Sequence, residues 1–277
     1  LSASLSNEYD NGLGFFVSYA YQDIEAVTPG TSSRGVSNYR AIRDIDRNNP
    51  SAGTSQFQIE HSFKLNLSYE KEIFGDLESR FNLFGQVTSG SPFSYAFETF
   101  RNDENALFGS AGDGETPSGT DLLYVPAISG GVISDPLVVV SSAFASDTFD
   151  GEAAFVDFVN ARGLSQGIQA RNDDEGPWNQ RWDFQYQQEL PFFNDFAAKY
   201  VGENKLKFVL DIQNVGNLLN DEWGTRVNGP SFPQGTLNAD IVSAADVAAN
   251  GVDGATALEG DSPRTTCLAA TDCLYRI

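Results

Sequence analysis

Between Gln56 and Glu70 the chain reads QFQIEHSFKLNLSYE, an unbroken alternation with a period of two. Phe57, Ile59, His61, Phe63, Leu65, Leu67 and Tyr69 fall on one side. Gln56, Gln58, Glu60, Ser62, Lys64, Asn66, Ser68 and Glu70 fall on the other. Successive strand side chains point to opposite faces, so this pattern predicts one long strand, about 56–73, with an apolar face and a continuously polar one. The same pattern recurs along the chain. LSASLSNEY sets Leu1, Ala3 and Leu5 against Ser2, Ser4 and Ser6, and Asp10-Asn11-Gly12 follows as a tight-turn signal. LGFFVSYAYQDIEAV (13–27) places Leu13, Phe15, Val17, Tyr19 and Tyr21 opposite Phe16, Ser18, Ala20 and Gln22. Residues 78–98 set Phe81, Leu83, Gly85 and Val87 against Arg80, Asn82, Gln86 and Thr88, with Phe84 on the otherwise polar side. Strands are predicted again over 178–192, with Trp182, Phe184 and Tyr186 on one face, and over 204–221, with Leu206, Phe208, Leu210 and Ile212 on one face. A further strand begins at Leu274.

The connections between these strands sort by parity. Those at 10–12, 74–77 and 193–204 are short, and those at 28–55, 99–177 and 222–273 are long. Successive antiparallel strands put alternate connections on opposite rims, so the long ones share one rim. Membrane barrels of the outer-membrane type have short turns on one rim and long loops on the other, whereas a soluble sandwich has no reason to sort its loops this way. The expected fold is therefore all-β: an antiparallel transmembrane β-barrel segment of about six strands plus the stub of a seventh, spanning residues 1–277 with extracellular loops at 28–55, 99–177 and 222–273.

Composition narrows the reading. The chain has 277 residues, no Met, and Leu at position 1, so it is read as a fragment. No apolar run approaches the roughly 18 residues of a membrane helix. A net charge of −21 disfavours binding to nucleic acid, whose phosphates it would repel. With 21 Phe, 10 Tyr and 3 Trp the chain is too aromatic to be a disordered acidic segment. Cys267 and Cys273 predict a local disulfide in an oxidising compartment, pinning the last long loop.

GPWNQRWDFQYQQELPF (176–192) followed by KLKFVLDIQNVGNLLNDEWG (205–224) resembles the C-terminal barrel of TonB-dependent outer-membrane receptors, in particular the Oar-like branch. The resemblance lies in Pro177-Trp178 and Glu189-Leu190-Pro191, then in Asn214, Asn217, Leu218, Leu219, Asn220, Trp223 and Gly224. LLYVP (122–126), FVNARG (158–163) and the terminal CLYRI are similar to landmarks of the same family. The resemblance implies a barrel of about 22 strands closed by the protein's own N-terminal plug domain. It further implies an energy-coupling box that engages a TonB-type partner protein, location in the outer membrane of a Gram-negative bacterium, and uptake of a scarce small ligand or peptide. The alternatives are a plug-less porin or secretion-type barrel and a secreted β-rich adhesin.

Under this reading the outward aromatics, among them Tyr19, Tyr21, Tyr69, Trp178 and Trp182, contact lipid and its interfaces, while Gln58, Glu60, Lys64, Asn66, Arg181, Asp183, Gln185 and Asp211 line the lumen. His61 is expected on the outward face with no metal or relay role. Within 28–55, Arg34, Arg40, Arg43 and Arg47 outnumber the acids. Arg34, Tyr39, Arg40 and Arg43 are the weak ligand candidates, facing an anionic ligand or lipopolysaccharide phosphate. The acidic stretches Asn172-Asp173-Asp174-Glu175 and Asp113-Gly114-Glu115 lack the full pattern of a calcium loop and are expected to be solvated. One histidine on a lipid-facing stripe supports no nucleophilic triad, and no phosphate-cradling glycine loop is present, so neither an enzyme activity nor a cofactor or metal is expected.

Overall fold

A computed structural model describes residues 1–28, 30–40, 42–44, 49–97, 122–142, 144, 149–191, 206–221, 223–224, 234–235, 239–258, 266–269 and 271–277. The chain is all-β in character and divides into two compact units. The first comprises residues 1–23, 57–91 and 176–229; the second comprises 24–56, 92–175 and 230–277.

The first unit is a six-stranded antiparallel sheet. Its strands are β1 (Ser2–Glu8), β2 (Leu13–Tyr21), β3 (His61–Phe74), β4 (Leu77–Thr88), β5 (Asn179–Leu190) and β6 (Leu206–Ile212). They are ordered in space as in sequence, each beside its chain neighbour. β1 pairs only with β2 and β6 only with β5, so the sheet is open and no closed barrel forms among the described residues.

The register follows the alternation. Tyr19, Phe63 and Val87 are cross-strand partners in one row; Leu67, Leu83, Phe184 and Ile212 are partners in another. The polar residues form the intervening rows: Ser18, Lys64, Gln86 and Arg181, then Ser68, Asn82, Gln185 and Asp211. Because partners across a ladder share a face, every strand contributes its apolar set to one side and its polar set to the other. Phe16, Phe84 and Val209 are large apolar residues on the polar side, the two Phe flanking Asn66 in a row that ends at Asp183.

The strands are shorter than the alternation predicts, for local reasons. Residues 56–60 keep the period of two, yet β3 starts at His61. β2 stops at Tyr21 and β4 at Thr88, so nothing continues the ladder beside them, and Gln22 makes the last bonds, to the Glu60 and Ile59 carbonyls at 3.0 and 2.8 Å. Gln58 is buried outside the sheet. The strand expected over 78–98 ends where Gly90 packs on the Gly176 carbonyl and Pro92, which has no N–H to donate, follows. The strand expected over 204–221 ends at Ile212. Asn214 takes a left-handed conformation (φ 54°), its N–H donates to Asp183 Oδ1 at 2.8 Å, and Val215 N–H donates to the Trp182 carbonyl at 2.7 Å. Gly216–Leu219 then form one helical turn. The connection at 193–204 lies outside the described residues.

The second unit replaces the expectation of plain loops over 28–55, 99–177 and 222–273. Its segments carry two-residue strand pairings, a short helix α1 (Gly35–Arg40) and a longer helix α2 (Glu152–Arg162). α2 buries Phe155, Val156 and Val159 and stops at Gly163, whose left-handed conformation (φ 65°) lets its N–H cap the Asn160 and Val159 carbonyls. Phe155 and Val159 join Phe93, Tyr95, Phe97, Leu123, Val125 and Ile277 in one core, each large side chain contributing roughly 1.5–3 kcal/mol by leaving water. The strand expected from Leu274 is present as Cys273–Arg276. It pairs with Asp240–Ser243 and Val138–Val139 of this unit and so is not a seventh strand of the sheet. Its placement is fixed by Arg276, which bonds Asp240 Oδ2 at 2.8 Å and the Ala255 carbonyl at 2.6 Å.

A buried polar knot sits beside that core. The Tyr124 hydroxyl donates to Asp135 Oδ2 at 2.8 Å, and the N–H groups of Ala127 and Leu137 donate to the same carboxylate at 3.0 and 2.9 Å. Burial, reinforced by the hydrogen bond to Asp135 and its charge, pushes the Tyr124 phenol up to about 12. Burial alone would raise Asp135. The Leu137 and Ala127 N–H groups and the Tyr124 hydroxyl outweigh it and hold the carboxyl below its ordinary value.

Two predictions follow from these contacts. Gly12 has φ +86°, and a Cβ there would lie 1.9 Å from the Glu70 carbonyl oxygen; Gly75 has φ +67° with open space around it. Gly75→Ala is expected to cost roughly 1 kcal/mol of conformational strain alone. Gly12→Ala adds a backbone overlap and is expected to cost roughly 2–4 kcal/mol. Denaturant midpoints of the two variants check the difference. The second prediction concerns pH. The unfolded Tyr124 phenol titrates near 10 and the folded one near 12, so its contribution is complete below pH 10 and is lost as pH rises from 10 to 12. Asp135 contributes above its ordinary value of 3.8 and loses that contribution as pH falls below it. Tyr124→Phe is expected to flatten the alkaline decline of the near-ultraviolet circular dichroism signal, and Asp135→Asn the acidic one.

Candidate functional site: a two-faced sheet and a basic pocket

The apolar face of the sheet is bounded by two groups of aromatics. At the rim where the long connections leave, the His61 ring stacks on Trp178 with centroids 5.7 Å apart and planes 9° from parallel. Tyr21 lies 5.5 Å from His61, and Phe63 lies 4.7 Å from Tyr19. The Tyr19 hydroxyl and His61 Nδ1 are joined by a 2.9 Å hydrogen bond. These contacts account for His61 as part of an aromatic cluster, with Glu60 at 3.6 Å from Nε2 as a charged neighbour. At the short-turn rim Phe81 sits between Tyr69 at 6.3 Å and Tyr186 at 4.9 Å. Beyond that row Lys71, Ser79 and Gln188 are polar, while Phe208 in the same row and the Leu190–Leu206 pair beyond it keep apolar character at the β5–β6 side. His61 and Tyr69 are separated by roughly 27 Å of extended strand.

Between these rows the apolar side chains are exposed or half-buried. Val17, Phe63, Leu67 and Leu210 are all at least 36% exposed, and among the described residues every buried hydrophobic side chain lies in the second unit. Soluble monomers rarely expose a continuous apolar patch of more than a few hundred Å².

The polar face carries a network of charges and amides. Gln185 bridges Asp211 at 2.7 Å and Asn82 at 3.4 Å, and Arg181 pairs with Asp183 at 2.9 Å. Near the short turns Arg80 pairs with Glu70 at 2.5 Å and Glu78 at 3.3 Å, while Lys207 lies within 4 Å of Glu78 and Glu189. Exposed pairs of this kind add little stability, about 0–1 kcal/mol each; their effect is to make the face wettable.

In the second unit, Arg34 and Tyr39 belong to the α1 region and are exposed. The Arg34 N–H donates to Ser32 Oγ at 3.1 Å, and its carbonyl accepts from Asn38. Arg40 ends α1, and its side chain and Arg47 lie outside the described residues, as does Asp113-Gly114-Glu115. Arg43 is brought to a narrow pocket lined by Ala26, Thr28, Ile42, Thr54, Arg171 and Asn172 among others. Burial, and then the nearby Arg171 cation, hold the Arg43 guanidinium below its ordinary range. Arg171 attracted no notice in the sequence, because nothing local marks a residue whose partners are more than a hundred positions away.

The acidic run 172–175 is committed to structure. Asn172 is buried and bonds Ser94 and the Thr54 carbonyl, Asp174 accepts from the Tyr95 hydroxyl and lies 3.8 Å from Arg162, and the Glu175 N–H turns back to Asp174. No cluster of metal-ligating side chains occurs among the described residues. Cys267 and Cys273 are disulfide-bonded, their Cα atoms 5.4 Å apart. No helix among the described residues is long and apolar enough to cross a membrane.

Neither a protein-family model, nor a curated protein, nor a solved structure matches the chain.

Proposed function

We propose that the sheet is part of the wall of an outer-membrane β-barrel and that the protein is a TonB-dependent receptor taking up a scarce ligand by energy-coupled transport. The observation that carries this reading is the uncovered apolar face between two aromatic rows, backed by a polar face of equal extent. An isolated sheet needs a layer over its apolar side to be stable, and acyl chains provide one where protein does not. The spacing of the aromatic rows suits this: roughly 27 Å of strand, tilted by about 40°, spans roughly 20 Å of bilayer depth. The open edges at β1 and β6 suit continuation into further strands.

In this reading the polar network, with Lys64, Asn66, Arg181, Asp183, Gln185 and Asp211, faces the lumen and a plug domain. The second unit forms the extracellular capture surface, and the transporter's role is non-enzymatic. The Gly-Pro-Trp entry to β5 and the Asn-Leu-Leu-Asn turn after β6 add the family resemblance. Outer-membrane lipid, lipopolysaccharide and a TonB-type energy coupler are its expected partners.

The test uses paired substitutions on adjacent residues of β3 in the intact protein. Leu65→Arg puts a charge on the apolar face and is expected to cost roughly 2–4 kcal/mol in a bilayer, blocking assembly into the outer membrane. Asn66→Arg, on the polar face, is expected to assemble normally. Fractionation of cell envelopes after alkaline carbonate washing reads the difference. Recovery of the unaltered protein in the aqueous fraction without detergent would sink the membrane reading.

A further inference from the structure

In the second unit a pair of cations, Arg43 and Arg171, has no carboxylate partner among the described residues. Arg171 is pinned by backbone carbonyls: Nη1 donates to Val27 at 2.9 Å, and Nη2 donates to Ser51 at 2.9 Å and to Ala26. Gly53 makes room for it, since a Cβ there would come within 3.1 Å of Arg171 Nε and 3.3 Å of its Nη2. The next residue, Asn172, is buried and held by Ser94 and Thr54, so the arginine has a fixed base. Carbonyl dipoles solvate the Arg171 charge without cancelling it.

Arg43 shares the pocket and is half-buried. Among the described residues its side chain makes no hydrogen bond or ion pair. The neighbouring Asp44 is directed at Ser51, whose N–H and hydroxyl it accepts at 2.7 Å each. Two guanidinium-bearing residues thus line one partly dehydrated pocket, where burial weakens hydration and like-charge repulsion is poorly screened. A bound anion relieves both costs at once. A guanidinium fork matches tetrahedral oxyanion geometry, and the two positive charges match a phosphate group carrying between one and two negative charges at neutral pH.

We propose that the Arg43–Arg171 pocket binds one phosphate group, either free or as the terminal group of a larger molecule. Arg171 and its carbonyl clamp form the floor, and Arg43 supplies the fork. This inference stands on the second unit alone and is independent of the membrane reading.

Isothermal titration of the intact protein in detergent with inorganic phosphate tests it, with acetate as the comparison anion. Saturable phosphate binding is expected to weaken roughly tenfold or more in Arg43→Gln, where one charge-assisted fork is lost, and to change little in Arg34→Gln, outside the pocket. Arg43→Lys keeps the charge without the fork and is expected to fall between. Near-ultraviolet circular dichroism establishes that each variant is folded. A short-chain phosphatidic acid, added below its micelle concentration, separates the sources. Tighter Arg43-dependent binding than inorganic phosphate points to a lipid phosphate, and equal binding to the phosphate group alone; both support the site. No phosphate binding by the folded protein, binding unchanged in Arg43→Gln, or acetate bound as well as phosphate would overturn it.

Discussion

The structure depends on one constraint, the register of β3 between β2 and β4. The β2–β3 ladder alternates strictly, and the β3–β4 ladder does so as far as Glu72, where a bulge interrupts it next to the turn, so a slip of one residue would exchange the apolar and polar sets of almost a whole strand. The β1–β2 and β3–β4 hairpins turn on Gly12 and Gly75 with positive φ, and the Gly12 turn is fastened onto β3 by the Glu70 N–H, which donates to the Gly12 carbonyl at 2.9 Å. The faces of β5 and β6 follow from that central strand, because each new ladder inherits its phase from the one before.

The two units obtain their stability differently. The second buries a conventional core of Phe, Leu and Val, with helix α2 laid into it and polar knots at Asp135 and Asp174 satisfying what the core encloses. The sheet has complete internal ladders but no buried apolar layer, so its backbone is satisfied while its side chains await a nonpolar neighbour. A bilayer imposes this same pair of conditions on a strand-built protein: every amide paired within the sheet, and hydrocarbon against the outer face.

Much of the sheet was legible in the sequence because a period of two needs only local information. Six strands, their order and the membership of each face could be read from residues such as Phe63, Lys64 and Leu65 without knowing any partner. Strand ends could not. The alternation at Gln56–Glu60 is as regular as that beyond His61, and only the ending of β2 and β4 decides that it goes unpaired. The second unit was missed for a related reason: its core collects short islands, Phe93, Leu123 and Phe155 among them, that are too brief to show a period and meet only in three dimensions. Of the basic candidates, Arg43 reaches a pocket while Arg34 stays on the surface, and that difference rests on Arg171, which lies in another part of the chain.

The presence of Ile277 in the same core as Phe93 has a consequence for the order of assembly. The hairpins of the sheet close over a few residues and can form as soon as they leave the ribosome. The second unit draws on segments between β2 and β3, between β4 and β5, and after β6, and its core lacks a wall until the last of these has been synthesised. Contacts so distant in sequence form slowly. The sheet therefore has its ladders available while the other unit is still incomplete, and the phenylalanines around α2, covered only once that core closes, mark the interval in which a chaperone or holding factor has most to protect.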